Sequence, residues 1–419
     1  MREVPFADPD LDEIPAFLRP PEPPPAPAEL PVSLPPSGTG LRARRRRQRR
    51  RYEWQRRGGL ALLAAALVAF LVVIVARPWH HSGARSTAPR HSAPPARLGA
   101  LPASAVLVQQ DAQGGAASIT LLVASSSGRG GRVVFVPPAT MTEVPSFGLD
   151  ALGRGLALGG PPLFQVTLEN LLGVALPPAT VVNDAQLAAL VQPAAPLDVD
   201  VPDRVEQTDS HGSVSVLWEQ GPAGIGAADV PRFLSAPGQG NDLARLARHQ
   251  SFWTAWLTTV GRDPAKLGPA PPDLTKVLRV LAAGPVSYDT LPVEAVDAGS
   301  GGDEVYRVRP SELDQLLGQL LPSSRTGARI RVQVLNGTGA IGVALKAAQR
   351  LVPAGAQVTL SGNADSFAYA QTQIVFYDRS RQQLATQVRQ ALGTGKLVLS
   401  RRPLDVVDVT VVIGRDFNG

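Results

Sequence analysis

The chain has 419 residues with 40 Gly, 40 Pro, no Cys and a formal charge of +6 at pH 7. Its length suggests two or three domains at roughly 150 residues each, and the missing cysteines exclude a disulfide framework, a thiolate zinc site, an iron–sulfur cluster and a Cys nucleophile. The charge is local: between Arg42 and Arg57 ten Arg stand against Glu53, a segment of +9, so the rest of the chain carries −3 and offers no basic field for nucleic acid.

Residues 1–57 form a Pro-rich and then Arg-rich tail. With PPEPPPAP at Pro20 to Pro27 and few large apolar residues, it buries too little surface to offset its ordering entropy and is expected to be disordered. Residues 58–77 hold an uncharged aliphatic run, GGLALLAAALVAFLVVIVA, closed by Arg77. At ~1.5 Å per residue it is about 28 Å long, enough to cross the hydrocarbon core as one helix. The Arg cluster precedes it, so the positive-inside rule puts the N-terminus in the cytoplasm and everything after the span outside. A cleaved signal peptide fits less well, because the apolar run is long and starts far from the N-terminus. Residues 78–100 read as a Pro/Ser/Ala linker, in which His80, His81 and His91 lack acidic partners.

From Leu101 the texture is that of a folded domain. SAVLVQQD, SITLLVASS and RVVFVPPAT are strand-like, VTLENLLG is helix-like, and ATVVNDAQLAALV reads as a strand entering a helix. Between Asp242 and Val260, Leu243, Leu246, Phe252, Trp253, Trp256 and Leu257 give one apolar helical face. The mixture predicts an α/β sandwich over 101–321. Residues 329–417 alternate strand and helix patterns, from IRVQVLNGTG through VALKAAQRLV to VDVTVVIG, and predict a small split-βαβ domain.

Catalytic signatures are sparse. The chain carries no GxxxxGK[ST] phosphate loop, HExxH or GxSxG elbow, and of its five His only His211 and His249 fall in folded sequence. A His-based triad or multi-His metal site is not expected. The Asn336-Gly337-Thr338-Gly339 turn reads as a tight strand-to-helix connection, and Asp365, Asp378, Asp408 and Asp416 are too dispersed for a metal site.

Together, VQVLNGTGAIGVA, GNAD, IVFYD and VDVTVVIGRDF resemble the C-terminal domain of LytR-type envelope proteins. The region before it resembles the LytR-CpsA-Psr domain, through the strand end near Asp111, the Pro turn at Val136 to Thr140, Gly159-Gly160, TLENLLG, and the helix carrying Asp242, Arg245, Arg248 and Gln250. The resemblance implies a single-pass envelope protein of the kind that moves a glycopolymer from a polyprenyl-pyrophosphate carrier onto peptidoglycan, with Arg groups gripping pyrophosphate and carboxylates holding a divalent cation such as Mg²⁺. Here the chain departs. The family turn reads Ser-x-Pro-Arg-Asp-Thr, and the Arg and Asp positions are Pro138 and Ala139; Ala117 and Ser118 stand where an Asp is expected. Losing one positioned charge commonly costs a hundred- to thousandfold in rate, on the order of 3 to 4 kcal/mol.

These losses leave no catalytic residue to assign and no cofactor to expect, with Mg²⁺ needed only by an active transferase. The expectation is a weakly catalytic or non-catalytic factor that contacts wall polymer, peptidoglycan, a polyprenyl-phosphate lipid or a wall-assembly partner. Asp242, Arg245, Arg248, His249, Gln250 and Arg154 are its candidate phosphate or polymer contacts. Alternatives are an active phosphotransferase with relocated residues, and a transmembrane signalling or scaffold protein.

Overall fold

The computed structural model describes residues 97–208, 213–236, 242–296, 305–320, 328–402 and 404–419, all within one compact unit spanning Arg90–Gly419. The tail, the Arg cluster, the apolar run and most of the linker lie outside the described residues. Among the described residues no helix is long and apolar enough to cross a membrane.

The first domain is built on a five-stranded sheet, ordered Val286–Thr290, Gly131–Val136, Ala116–Ala124, Ser104–Gln110, Thr180–Val182. Its three central strands are antiparallel neighbours, and each edge strand joins in parallel. The central strands are buried almost continuously, the pattern of a sheet covered on both faces. Period-two alternation divides their side chains. Val106, Val108, Ile119, Leu121, Val134 and Val136 enter one core with helices Arg154–Leu172 and Pro310–Leu320. Leu107, Leu122, Val133 and Phe135 enter the other with Asp184–Val191, Val230–Ser235, Asp242–Arg262 and Pro272–Ala282. The expected α/β sandwich is therefore a three-layer arrangement.

Helix Arg154–Leu172 begins well before the helical stretch expected from VTLENLLG. It bends where Gly159 and Gly160 leave helical geometry, Gly160 at φ 67°, and Pro161 restarts it. The strand entering a helix at 180–191 forms as expected, with Asn183 and Gln186 exchanging both hydrogen bonds of a capping box.

The C-terminal sheet runs Ala356–Asn363, Ile330–Asn336, Val409–Ile413, Gln373–Phe376, Lys396–Leu399. It departs from the expected split βαβ. Each helix, Val343–Leu351 and Gln382–Leu392, crosses between two adjacent parallel strands, and the last strand enters between the two βαβ units. The reason is burial: every residue of Val409–Ile413 is buried, including Thr410, which suits a central strand and no edge.

The two domains share a core. Val144, Leu163 and Val166 of the first pack with Val332, Ala347, Leu351 and Val358 of the second. Beside them the buried Asn170 amide replaces a neighbouring strand. Its Nδ2 donates to Val358 O at 2.8 Å and its Oδ1 accepts the Val358 N–H at 2.9 Å, closing the edge of the second sheet. Arg329 spans the same joint, donating to Asn170 O at 2.6 Å and Ala356 O at 2.7 Å. Ser361 donates to the Glu143 carboxylate, whose pKa burial nevertheless pushes above the usual carboxylate range.

Asn170→Leu strands two backbone groups in this interior, so it should destabilise the protein by about 2–3 kcal/mol. Urea unfolding of the full chain checks this, and Asn170→Asp, which turns a carboxylate oxygen toward the Val358 carbonyl, should not recover the loss.

Candidate functional site

Four carbonyls at the end of helix Val230–Ser235 set the geometry of the region where most of the sequence-predicted contacts fall. The last carbonyls of any helix lack intrahelical partners and carry its negative dipole end. Helix Asp242–Arg262 packs against them with three side chains. Arg245 donates to Ser235 O at 3.2 Å, and Arg248 donates to Phe233 O at 3.2 Å and Ala236 O at 2.6 Å. The His249 Nε2–H donates to Leu234 O at 2.9 Å. Arg248 is wholly buried and His249 nearly so, with Asp203 placing a carboxylate 3.6 Å from Arg248 Nε. Burial first, then the positive field of Arg245, lowers the His249 pKa to about 3, so the ring is neutral.

This corrects the expectation that Arg248 and His249 contact a phosphate at a pocket mouth. Both face the core, beside Phe135, Phe252 and Trp253, and both donate to backbone carbonyls. Arg245 is half-buried against the same helix end. Asp242 opens the helix, but its side chain lies outside the described residues. Gln250 is exposed and lines a groove between this helix and strand Leu197–Val201.

Arg154 is elsewhere. Its side chain is 66% exposed at the start of helix Arg154–Leu172 and pairs with Asp150 at 3.1 Å. That helix packs on the opposite face of the central sheet from the core that holds Trp253 and Trp256 of helix Asp242–Arg262.

The turn at Val136 to Thr140 is committed to structure. Pro137 O accepts the Thr140 N–H and hydroxyl, Pro138 O accepts the Gly153 N–H at 2.8 Å, and Ala139 O accepts the Tyr306 N–H at 3.1 Å. Asp111 spends one carboxylate oxygen on the N–H groups of Gln113 and Gly115. Among the described residues no group of three His, Asp or Glu is placed to hold a metal ion. In the C-terminal domain Asn336 Oδ1 accepts from Thr338 and Gly339, which makes the NGTG turn self-contained. Asp408 pairs with Arg331, and Asp416 accepts from Thr372.

Residues 329–417 match the family model described as LytR cell envelope-related transcriptional attenuator. The chain is also 26% identical to the cell wall biosynthesis protein LcpA of Corynebacterium glutamicum, over 46% of this chain and 42% of that protein. Both likenesses are to proteins of the LytR-CpsA-Psr kind, the first confined to residues 329–417.

The chain spans less than half the length of that curated relative. Looser likenesses are to Bacillus subtilis TagV, at 11% identity and TM-score 0.43 over 56% of this chain and 100% of that one, and to TagT, at 15% and 0.44 over 56% and 94%. The LytR-Csp2A-Psr enzyme of Actinomyces oris is 18% identical, with a TM-score of 0.38 over 54% and 96%. Within the LytR-CpsA-Psr pattern, Pro138 and Ala139 put apolar side chains where the family turn carries Arg and Asp. Asp198, Asp200, Ser251, Thr254 and Thr258, which line the Gln250 groove, are absent from the sequence-based candidates. The uncharged run from His249 to Gly261 and the alternation LDVDV are the signals that mark them.

Arg248→Met leaves carbonyls and the Asp203 carboxylate buried without partners and should cost about 3–5 kcal/mol in urea unfolding; adding Asp203→Asn should recover part of it. For His249 the folded pKa lies below the ordinary 6.5, so its contribution to stability is complete above pH 6.5 and is lost as pH falls toward 3. Stability measured from pH 7 to 4 should show that decline, and His249→Gln should flatten it.

Proposed function

We propose that this protein is a membrane-anchored factor of cell-wall glycopolymer assembly that binds the polymer and does not transfer it efficiently. The observation that carries the reading is the commitment of the family's charged positions to architecture. Arg248 and His249 hold backbone carbonyls inside the core, while Pro138 and Ala139 offer no charge to a pyrophosphate. Transfer from a pyrophosphate needs cationic groups aimed at the departing oxygens, and a guanidinium sealed at zero exposure cannot supply them.

The family supports the cell-wall setting, and LcpA is described as a cell wall biosynthesis protein. TagT has been solved with octaprenyl pyrophosphate lipid bound and with LIIa-WTA bound. In this chain Phe252, Trp253 and Trp256 pack against one another, Phe252 stacked on Trp256 and edge-on to Trp253, in the core between the central sheet and helix Asp242–Arg262, which favours the polymer over a lipid tail as the ligand of that side. The run at 58–77 after the Arg cluster supports anchoring with the folded domains outside the cytoplasm.

The test uses the full chain in detergent with Mg²⁺, a polyprenyl-pyrophosphate-linked glycan and peptidoglycan. The expected result is no transfer above the protein-free blank together with retention of the protein on the glycan. Transfer that falls on Arg245→Ala would overturn the reading.

A further inference from the structure

Strand Leu197–Val201 sends Leu197, Val199 and Val201 into the core and leaves Asp198 and Asp200 exposed. Across its ladder to strand Gly221–Ile225 these aspartates sit opposite Gly224 and Pro222, which bring no countercharge. Asp is disfavoured in strands, so two of them on one face of five residues serve something other than strand formation.

The neighbouring helix breaks a local rule as well. Its inner stripe is Trp253, Trp256, Leu257 and Val260, all buried. Its outer stripe carries Gln250, Thr254 and Thr258 exposed, with no charged residue between Arg248 and Arg262. The solvent face of a helix is ordinarily charged, and Thr is a weak helix former because its branched side chain loses χ1 freedom. An uncharged row of hydroxyls and an amide therefore costs helix stability without the usual gain in solvation. Such departures from local preference mark functional surfaces.

The two faces meet. Together they line a groove of about 930 Å³, to which Arg262 and Lys266 also contribute and whose apolar surface comes from small residues such as Ala194, Pro196 and Ala247. The volume suits a ligand of several rings. Carboxylates accept only, hydroxyls and the amide both donate and accept, and the two cations donate. We infer that this groove binds a stretch of polyhydroxylated glycan chain. A polyprenyl tail finds no apolar channel among these groups, and Asp198 and Asp200 balance Arg262 and Lys266, so the groove offers a polyanion no net positive charge. The inference rests on the wall-polymer reading above and gives the polymer a place in the fold, away from the buried Arg248.

The experiment measures retention of the detergent-solubilised full chain on two immobilised probes: peptidoglycan glycan strands stripped of attached polymer, and the wall polysaccharide released from the same walls. It is repeated with Asp198→Asn plus Asp200→Asn, which keeps side-chain volume, and with Thr258→Trp, which fills the groove from an exposed position. Wild-type protein should bind one of the probes, identifying the glycan. Both variants should bind it about tenfold or more weakly at an unchanged unfolding temperature, the loss expected when one or two hydrogen bonds to charged groups disappear. Variants that bind like the wild type overturn the groove and leave the proposed function standing. Wild-type protein that binds neither probe overturns both.

Discussion

A guanidinium with no exposure to solvent organises the first domain. Burying Arg248 forfeits its hydration, a cost of several kcal/mol that is offset by bonds from its two terminal nitrogens to the carbonyl end of helix Val230–Ser235 and by the Asp203 carboxylate beside Nε. Arg245 and His249 complete the set, so four successive carbonyls from Phe233 to Ala236 each receive a donor from one helix. The interlock fixes the rotation of helix Asp242–Arg262 about its own axis. With Arg248 inward, Trp253, Trp256 and Val260 follow it into the core, and Gln250, Thr254 and Thr258 must face outward beside Asp198 and Asp200. A residue type associated with phosphate grip is thus used to aim the opposite face of its helix.

That outcome is partly legible in the sequence. Arg248, Phe252 and Trp256 are spaced by four, and His249, Trp253 and Leu257 likewise, so the charged pair falls on the same stripe as the aromatics. Spacing alone marks the stripe as buried, whereas motif resemblance marks the same residues as ligand contacts. What spacing does not contain is the partner: the open carbonyls arrive from a six-residue helix separated from Asp242 by a short connection, and only tertiary packing brings them to Arg248. The central strands are legible for a related reason, since runs such as SITLLV fit a sheet covered on both faces. The C-terminal topology is less so. VDVTVVIG reads as a strand, but its insertion between two βαβ units depends on which neighbours it can bury against, and no local pattern records that.

The joint between the domains follows from the same economy. Helix Arg154–Leu172 packs Phe164 and Leu168 on the central sheet, sends Leu163 and Val166 into the second core, and closes a sheet edge with Asn170. One helix therefore belongs to both domains. Hinge motion between them would have to open an apolar core, break two hydrogen bonds to a strand backbone and expose Glu143, whose carboxyl burial already disfavours as a charge. Each of these costs on the order of 1–3 kcal/mol, and they must be met together because they lie on contiguous elements. The C-terminal domain is accordingly held as a rigid extension of the first. A glycan seated along helix Asp242–Arg262 would then lie across the central sheet from this joint, so the C-terminal surface stays free for another contact while the groove is occupied.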